Sequence, residues 1–299
     1  GVVMHGLGWP LTETGSSGGW WLYHDENNQV SFGLVVDLSY HNPYMSPFDE
    51  MQRLKTHPVI KEVLEGGKRL SYGARALTKG GLNSLPKLTF PGGVLVGDDA
   101  GFLNPAKIKG THTSMKSGML AAEAIFAALQ SGRQHDEVET YSQMFNDSWL
   151  YEDNYSARNL APAMHRMGLF MGGAFTFIEH NLLKGKMPLT IRDTTPDYDN
   201  LDKASTSYKP DYPKPDGKLT FDKLSSVFIS NTNHAEDQPS HLKLTDPTVP
   251  VTVNLPIYAE PAQRYCPAGV YEIVKDAEGA KFVINAQNCV HCKTCDIKD

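Results

Sequence analysis

Three of the four cysteines in this 299-residue chain lie together near its carboxyl end, in the segment NAQNCVHCKTCDIKD. Cys289, Cys292 and Cys295 follow the spacing C-x2-C-x2-C, and Cys266 lies upstream in YCPAG with a proline directly after it. Three closely spaced thiolates and one remote cysteine are typical ligands of an iron–sulfur cluster. The pattern therefore predicts one [4Fe–4S] cluster, which we expect to exchange electrons with a second redox centre.

Other uses of these cysteines fit the pattern less well. Structural zinc prefers separated cysteine pairs or a mixture of cysteine and histidine, although His291 inside the triplet offers an imidazole. Covalent haem needs C-x-x-C-H, but Lys293 follows Cys292 and Asp296 follows Cys295. Zinc and unligated structural cysteines stay open as alternatives.

A second pattern, PGGVLVGDDAGF at 91–102, could hold a flavin. A predicted apolar strand at 94–96 ends in Gly97 and Asp98, and a glycine-containing loop then leads into a helix. Amides at a helix N-terminus attract phosphate or a flavin carbonyl. An ordinary strand-to-helix turn, capped by Asp98 or Asp99, fits the same residues. The dinucleotide fingerprint G-x-G-x-x-G does not occur in the chain.

Composition and charge narrow the class of protein. Hydrophobic residues make up 40% and charged residues 21% of the chain, which predicts a folded globular protein. The formal net charge is −6, so we expect no nucleic-acid partner, because phosphate backbones normally require a basic surface. Four cysteines are too few for a disulfide framework and favour metal binding in a reducing compartment. No targeting signal is recognisable, and Gly1 predicts that the chain begins inside a longer protein.

The elements that would position these sites begin with a predicted hairpin. GGWWLYH and VSFGLVVDLSY are apolar, aromatic and β-branched, and the turn-like DENNQ separates them. Residues 46–66 predict a helix with Ser46 as N-cap and Pro47 at its first position. We expect an interruption before Pro58 and an end at the glycine pair that begins at Gly66.

The loop after the GD pair leads into a second predicted helix of about four turns. Gly132 is expected to end it. Its apolar residues share one face at helical spacing, and they are Met115, Met119, Ala122, Phe126 and Leu129.

Further along, composition predicts a connector and then short strands. Residues 188–217 are rich in Pro, Asp, Tyr, Ser and Thr, so we place a domain boundary there. HLKLTDPTVPVTVNLPIY and GVYEIVKDAEGAKFVINAQNC predict strands that lead into the cysteine triplet.

An uncharged stretch at 167–178 has basic flanks at Arg166, Lys184 and Lys186. As a helix it would extend about 18 Å at 1.5 Å per residue, which is shorter than the roughly 30 Å hydrocarbon core of a bilayer. The stretch therefore predicts a segment that lies at a membrane surface without crossing it. A buried core helix is the alternative.

Several stretches, taken in order along the chain, resemble the electron transfer flavoprotein–ubiquinone oxidoreductase family of membrane-associated flavoproteins, which link acyl-CoA and amino-acid dehydrogenases to the quinone pool. They extend from one end of the chain to the other, and they include GLVVDLSYHNPYMSPF, LEGGKRLSYGARAL, KIKGTHTSMKSG, TNHAEDQPSHL, QRYCPAGVYE and INAQNCVHCKTCDIKD. The dinucleotide-binding unit of that family lies upstream of anything present here, which would explain the missing fingerprint. The chain thus resembles the carboxy-terminal half of such a protein.

The resemblance implies an α+β fold. It has a partial FAD-binding domain of the glutathione-reductase type, a quinone-binding β-sheet region and a ferredoxin-like [4Fe–4S] domain. The implied boundaries are 1–90 for the quinone-binding region, 91–187 for the second part of the FAD domain, 188–217 for a linker and 218–299 for the cluster domain. A segment at about 160–183 falls where the family dips into the membrane surface.

The resemblance also assigns residues to cofactors. The residues that match the four cluster ligands are Cys266, Cys289, Cys292 and Cys295. Gly18 and Gly19 in SSGGWWLYH match the glycine pair at the ubiquinone site, although a simple turn would also explain them. The residues that match the second FAD-contacting region are Gly97, Asp98, Gly110, Thr111 and Met115. The acidic pair in GDDAG differs from that of some family members, which leaves a contact of Asp98 with the ribityl chain open. No catalytic acid–base residue is expected.

The implied activity is that of an electron-transferring-flavoprotein dehydrogenase. Electrons would pass from reduced electron transfer flavoprotein through the cluster and FAD to ubiquinone, at the bacterial inner membrane or the matrix side of the mitochondrial inner membrane. One alternative is a non-catalytic fragment that binds only the cluster and quinone. A flavin reductase acting on isoprenoid lipids is a third hypothesis, which the cysteine set disfavours.

Overall fold

The computed structural model describes residues 1–277 and 279–299, apart from the side chain of Leu169. The strands are β1 (Val3–Leu7), β2 (Gly18–His24), β3 (Val30–Val36), β4 (Thr89–Phe90), β5 (Gly93–Val94), β6 (Tyr271–Asp276) and β7 (Gly279–Ile284). The α-helices are α1 (Pro47–Lys55), α2 (Pro58–Leu64), α3 (Gly97–Ala100), α4 (Thr111–Gln130), α5 (Thr140–Asn146), α6 (Trp149–Ser156), α7 (Leu160–Phe177), α8 (Lys223–Phe228), α9 (Leu255–Tyr258), α10 (Ala262–Tyr265) and α11 (Cys295–Lys298). This mixture of helices and small sheets confirms the α+β prediction.

The chain divides into two compact units. Unit 1 comprises residues 1–76 and 195–299, and unit 2 comprises residues 77–194. The cysteines and the predicted quinone residues are in unit 1, whereas the predicted flavin residues are in unit 2.

Unit 1 begins with an antiparallel sheet in the order β1–β2–β3. Strands β2 and β3 form the predicted hairpin, and β1 is an additional strand that the sequence did not single out. A glycine lies opposite each of the two tryptophans of β2: Gly6 pairs with Trp20, and Gly33 pairs with Trp21. A Cβ at either glycine would collide with the indole. The indoles therefore cover bare backbone on the neighbouring strands.

Helices α1 and α2 form as the prolines and the cap predict. The Ser46 hydroxyl accepts a hydrogen bond from the Asp49 amide at 3.3 Å, and Pro58 starts the second helix after a break. Leu54 of α1 and Ile60 of α2 are buried with Leu22 of β2. The helices thus form a core with the amino-terminal sheet.

Unit 2 is built around the 20-residue helix α4. Its buried face carries Leu120, Ala121, Ala124 and Ala128, which join a core with Phe102, Tyr141, Phe145 and Leu150. The apolar face predicted from Met115 to Leu129 is the exposed one. Gly132 has a φ of +76°, and the amide after it bonds the Ala128 carbonyl, which confirms the predicted helix end.

Two sequence predictions were wrong in detail. The strand predicted at 94–96 is the end of a short β4–β5 hairpin, because β5 stops at Val94 and Val96 precedes α3. Residues 241–258 form no strand; 250–254 form a π-helical turn that continues into α9. Prolines at three positions of this stretch cannot donate to a strand ladder, so its β-branched residues do not determine the outcome. The β6–β7 hairpin was predicted correctly.

Candidate functional site

Cys266 lies in a buried turn directly after α10. Its sulfur accepts a hydrogen bond from the Val270 amide at 3.4 Å. Its carbonyl accepts one from the Lys223 ammonium of α8 at 2.9 Å, and the Tyr72 hydroxyl bonds the carbonyl of Pro267 at 2.8 Å. The backbone around the remote cysteine is thus fixed by side chains from two other parts of unit 1.

The cysteine triplet spans the tight loop after β7 and ends at Cys295, the first residue of α11. His291 and Lys293 alternate with the cysteines and have positive φ values of 54° and 67°, a conformation that few non-glycine residues adopt. The His291 amide bonds the Cys289 sulfur at 3.4 Å. The Cys292 carbonyl accepts the Ala76 amide at 2.7 Å, which anchors the loop to the end of the amino-terminal segment of unit 1.

Three of the four cysteines belong to one hydrophobic cluster, and Cys292 lies close to two of them. Cys266 is part of the buried core of this cluster, and Cys289 and Cys295 pack against it. Burial raises the pKa of the Cys266 thiol, and the nearby Cys292 raises it further. Burial also raises the pKa of Cys289, with added effects from Cys292 and Cys295. All four thiols are free of disulfides.

Tyr271 of β6 reports the same convergence. Burial raises the pKa of its hydroxyl, and a side-chain hydrogen bond with Cys295 and the nearby Cys266 and Cys289 raise it further. The Tyr271 hydroxyl therefore lies close enough to three of the four thiols for them to affect its pKa. Since the raised pKa values keep the Cys266 and Cys289 thiols protonated, a metal ion that binds these two sulfurs would release their protons.

Three histidine rings surround Cys289, and sequence reasoning missed two of them. His241 Nε2 lies 3.3 Å from the Cys289 sulfur, and His234 Nε2 lies 2.8 Å from the Cys289 carbonyl oxygen. Both of these histidines lie in the stretch TNHAEDQPSHL, but nothing in that stretch indicates a contact with the distant cysteine triplet. Ligand atoms of His241, Cys289 and His291 lie within 4.8 Å of one another. These three residues are therefore close enough together to bind a zinc ion, as the zinc alternative requires.

The predicted ubiquinone residues lie in a strand and not in a turn. Gly18 and Gly19 start β2, where they pair with Val36 and Val35 of β3. A Cβ at Gly18 would collide with the Val35 carbonyl, and one at Gly19 would lie 2.6 Å from the carbonyl oxygen of Gly6. The sheet itself therefore requires glycine at both positions.

The predicted flavin residues cluster at the amino-terminal ends of α3 and α4. The Gly97 amide donates to the Ser117 hydroxyl of α4 at 2.9 Å, and Asp98 follows at the exposed start of α3. Gly110 is the residue before α4, and Thr111 is the first residue of that helix. Met115, one turn further, is 66% exposed. Unit 2 thus brings the set together around the first turns of a long helix.

The uncharged stretch lies in α7, which is interrupted at Gly168. Phe170 is 88% exposed, Phe177 is 64% exposed and Leu182 in the following turn is 70% exposed. Within unit 2 the stretch is therefore not a buried core helix. Of the helices in the described residues, none combines the length and the apolar character needed to cross a membrane.

In comparisons with known proteins, the cysteine-containing region and the amino-terminal region each match a separate family model. The family model described as electron transfer flavoprotein–ubiquinone oxidoreductase, 4Fe-4S, matches residues 217–299, and a model described as ETF-QO, ubiquinone-binding, matches residues 1–77. The chain is 63% identical to the electron transfer flavoprotein–ubiquinone oxidoreductase of Pseudomonas aeruginosa, with all of this chain and 54% of the relative aligned. It is 54% identical to the mitochondrial protein of that name from Arabidopsis thaliana and 51% identical to that of Homo sapiens, again over the whole chain and over 47% and 50% of those relatives. The chain spans about half the length of the curated relatives it matches.

Proposed function

The chain belongs to the electron transfer flavoprotein–ubiquinone oxidoreductase family, and we propose that it carries electrons from reduced electron transfer flavoprotein through a [4Fe–4S] cluster and FAD to ubiquinone. It contains a 4Fe–4S domain of this family at residues 217–299 and a ubiquinone-binding domain at residues 1–77. The observation that carries the proposal is the proximity of the four cysteines within unit 1. Cys266, Cys289 and Cys295 share one hydrophobic cluster, and Cys292 lies close enough to Cys266 and Cys289 to raise the pKa of both thiols.

The proposed cluster ligands are Cys266, Cys289, Cys292 and Cys295. Four thiolates are the usual donor set of such a cluster, and the backbone amides that reach two of the sulfurs suit its negative charge. When bound, the cluster takes up and releases one electron at a time. The chain's own part is to hold the sulfurs in place and to shield them from water with the buried rings of Tyr265 and Tyr271.

The proposed ubiquinone contact is the backbone at Gly18 and Gly19. Its support is the family match over residues 1–77. Because the sheet itself requires glycine there, alanine substitution would disturb the strand, and lost quinone reduction in such a variant would not identify a contact. Cross-linking of a photoreactive quinone to the unaltered protein, followed by peptide mapping, is the suitable test. Labelling that leaves residues 1–77 untouched would contradict the contact.

The proposed FAD contacts are Gly97, Asp98, Gly110, Thr111 and Met115. Their support is the resemblance and their position at the N-terminal ends of α3 and α4, where backbone amides favour a negatively charged group. The missing G-x-G-x-x-G in this chain favours a second candidate function, a module that binds cluster and quinone without flavin. An absorbance spectrum distinguishes the two, because bound flavin gives resolved bands whereas a cluster alone gives a broad shoulder.

We also propose that residues 160–183 lie on a membrane surface. Exposed aromatic and aliphatic side chains on α7 and the turn after it favour insertion into the headgroup region. The exposed Lys184 directly follows this segment and suits anionic lipid headgroups.

The central proposal predicts that Cys292→Ala removes the cluster. Cys292 is the middle member of the triplet and is buried, so its replacement would leave the cluster with only three of its four cysteine ligands. Iron, acid-labile sulfide and electron transfer from reduced electron transfer flavoprotein to ubiquinone are measured in the purified protein, and all three are expected to fall to background. Lys275→Gln, at an exposed position of β6 in the same domain, is the control and retains the cluster. A full complement of iron and sulfide in Cys292→Ala would contradict the assignment.

A further inference from the structure

Cys289 differs from the other cysteines in the side chains around it. The rings of His234, His241 and His291 contact one another, with centroid separations of 5.4 Å for His234–His241, 4.9 Å for His234–His291 and 4.8 Å for His241–His291. The His241 and His291 rings are stacked, at an interplanar angle of 30°. These residues come from two separate segments, which fold together at this one cysteine.

Only one of the three rings reaches the cysteine sulfur. His241 Nε2 lies 3.3 Å from Cys289 Sγ, whereas His234 Nε2 bonds the Cys289 carbonyl oxygen at 2.8 Å. His291 reaches the sulfur through its backbone amide at 3.4 Å. A sulfur that binds iron carries no proton, so in this pair the imidazole N–H must be the donor.

We propose that His241 raises the reduction potential of the cluster by donating a hydrogen bond from Nε2–H to the sulfur of Cys289. The inference rests on the proposed function, because it takes Cys289 as a cluster ligand. Reduction adds negative charge to the iron–sulfur core and its thiolates, so an N–H donor stabilises the reduced form more than the oxidised form. His241 is a positioning residue that acts through Cys289.

The neighbouring contacts explain how an exposed ring can hold this geometry. The stack with His291 restricts rotation of the His241 ring, and the bond from His234 fixes the backbone of the cysteine that His241 contacts.

The experiment compares cluster potentials in the intact, cluster-loaded protein by EPR-monitored redox titration, with iron and sulfide counted in each sample. His241→Ala is expected to keep the cluster and to lower the equilibrium constant for its one-electron reduction about tenfold, which corresponds to ~59 mV. His241→Gln restores an N–H donor and is expected to recover at least half of the shift. His24→Ala, at an exposed end of β2, is the control and leaves the potential unchanged. A loaded His241→Ala protein that titrates at the potential of the unaltered protein would overturn the inference.

A second measurement covers a His241→Ala variant that does not assemble its cluster. Pulsed EPR on the reduced, unaltered protein, with histidine labelled by 15N in the ring alone, is expected to detect a ring nitrogen coupled to the cluster spin. The strongest ring-nitrogen coupling should be lost in His241→Gln, because Nε2 of His241 lies at hydrogen-bond distance from the sulfur. No ring-nitrogen coupling in the unaltered protein, or a coupling of unchanged strength in His241→Gln, would contradict the inference. Failure of the proposed function looks different, because Cys289→Ala would then retain a complete cluster.

Discussion

Two of the cysteine sulfurs accept hydrogen bonds from backbone amides, those of Val270 and His291. Because amide donors are fixed by the fold, they limit where Cys266 and Cys289 can point before iron is bound. The His–Cys–His corner that would suit zinc uses only one of the four thiols. An iron–sulfur cluster uses all of them, which is why we favour it at the scale of single residues.

Glu260, just before α10, is a fully buried carboxyl group. Its Oε1 accepts the Ala262 amide at 3.1 Å, but Oε2 has no hydrogen-bond partner among the described residues. The pKa of the Glu260 carboxyl is raised to about 7. Burial is the main cause and the charge of Asp299 adds to it, whereas hydrogen bonds from Ala262 and Asn254 and the charge of Arg264 lower the pKa in part. The folded protein therefore holds a proton here more tightly than the unfolded chain does.

This shift predicts a pH-dependent stability. A carboxyl group with a raised pKa stabilises the fold below its unfolded value of 4.5, and that contribution is lost as the pH rises to about 7. Because glutamine does not ionise, Glu260→Gln avoids this loss. We expect its free energy of unfolding to exceed that of the unaltered protein by about 2 kcal/mol at pH 8 and to be nearly equal at pH 4.5. Unfolding temperatures at the two pH values measure the effect, with Glu62→Gln, an exposed residue of α2, as the control. An equal effect of Glu260→Gln at both pH values would refute the explanation.

The sequence predicted the cysteines but not their neighbours, for a physical reason. The cysteines within 289–295 lie in one short segment, so their proximity can be predicted from the sequence without knowledge of the fold. His241 lies 48 residues before Cys289, and only tertiary folding brings the two together. At Gly19 the resemblance points to quinone, whereas the structure adds an independent requirement for glycine from the sheet.

At the scale of elements, α7 consists of two helical segments that fold back on each other at Gly168, which has φ +72° and ψ 179°. Gly172 in the second segment lies so close to the first that a Cβ would be 2.7 Å from the Ala163 carbonyl oxygen and 2.9 Å from the Met164 Cα. A glycine at this contact lets the two backbones approach. The exposed aromatic residues of the stretch depend on this arrangement.

Adjacent glycines offer a matched test of that contact. Gly172→Ala forces the segments apart and is expected to destabilise unit 2 by about 1–3 kcal/mol, as overpacking does. Gly173→Ala meets nothing within 4 Å and is expected to be neutral or to stabilise by about 0.5–1 kcal/mol, because alanine favours the helix. Urea unfolding with hydrogen exchange of residues 160–177 measures both. Equal stability of the two variants would rule out a close contact at Gly172.

The same element carries the membrane prediction. Replacing Phe170 and Phe177 together by Asp is expected to weaken binding to anionic phospholipid vesicles at least tenfold, because each buried Phe contributes about 1.5–3 kcal/mol. The control is the double replacement by Leu, which keeps the segment apolar and should bind nearly as well. Vesicle cosedimentation measures all three proteins. Unchanged binding of the Asp variant would contradict membrane contact through α7.

Local signals also explain which elements the sequence could predict. Caps and prolines act within one turn, so the start of α1 at Pro47 and the start of α2 at Pro58 were legible. Residues 241–258 were not, because β-branched side chains favoured a strand while the prolines removed its donors. Helical spacing correctly grouped the apolar residues of α4 on one face. Whether that face is buried or exposed depends on the elements that pack against α4, which the spacing does not describe.

At the scale of the whole molecule, the two units carry different parts of the proposed electron path. Unit 1 contains both segments that the family models match, 1–77 apart from its last residue and 217–299. Unit 2 contains the proposed flavin and membrane residues. Sequence resemblance could assign these parts because it extends over the entire chain. Composition predicted a boundary at 188–217, which contains the division at residue 194, but it gave no division at residue 76.

Under the proposed function, the remote Cys266 completes the ligand set that the cysteine triplet begins. Native mass spectrometry of the intact protein and of Cys266→Ser, combined with Mössbauer spectra of 57Fe-labelled samples, tests it most directly. We expect one cluster of four irons and four sulfides in the unaltered protein, and its loss or conversion to a three-iron form in Cys266→Ser. Bound zinc in the unaltered protein, or an unchanged four-iron cluster in Cys266→Ser, would contradict it.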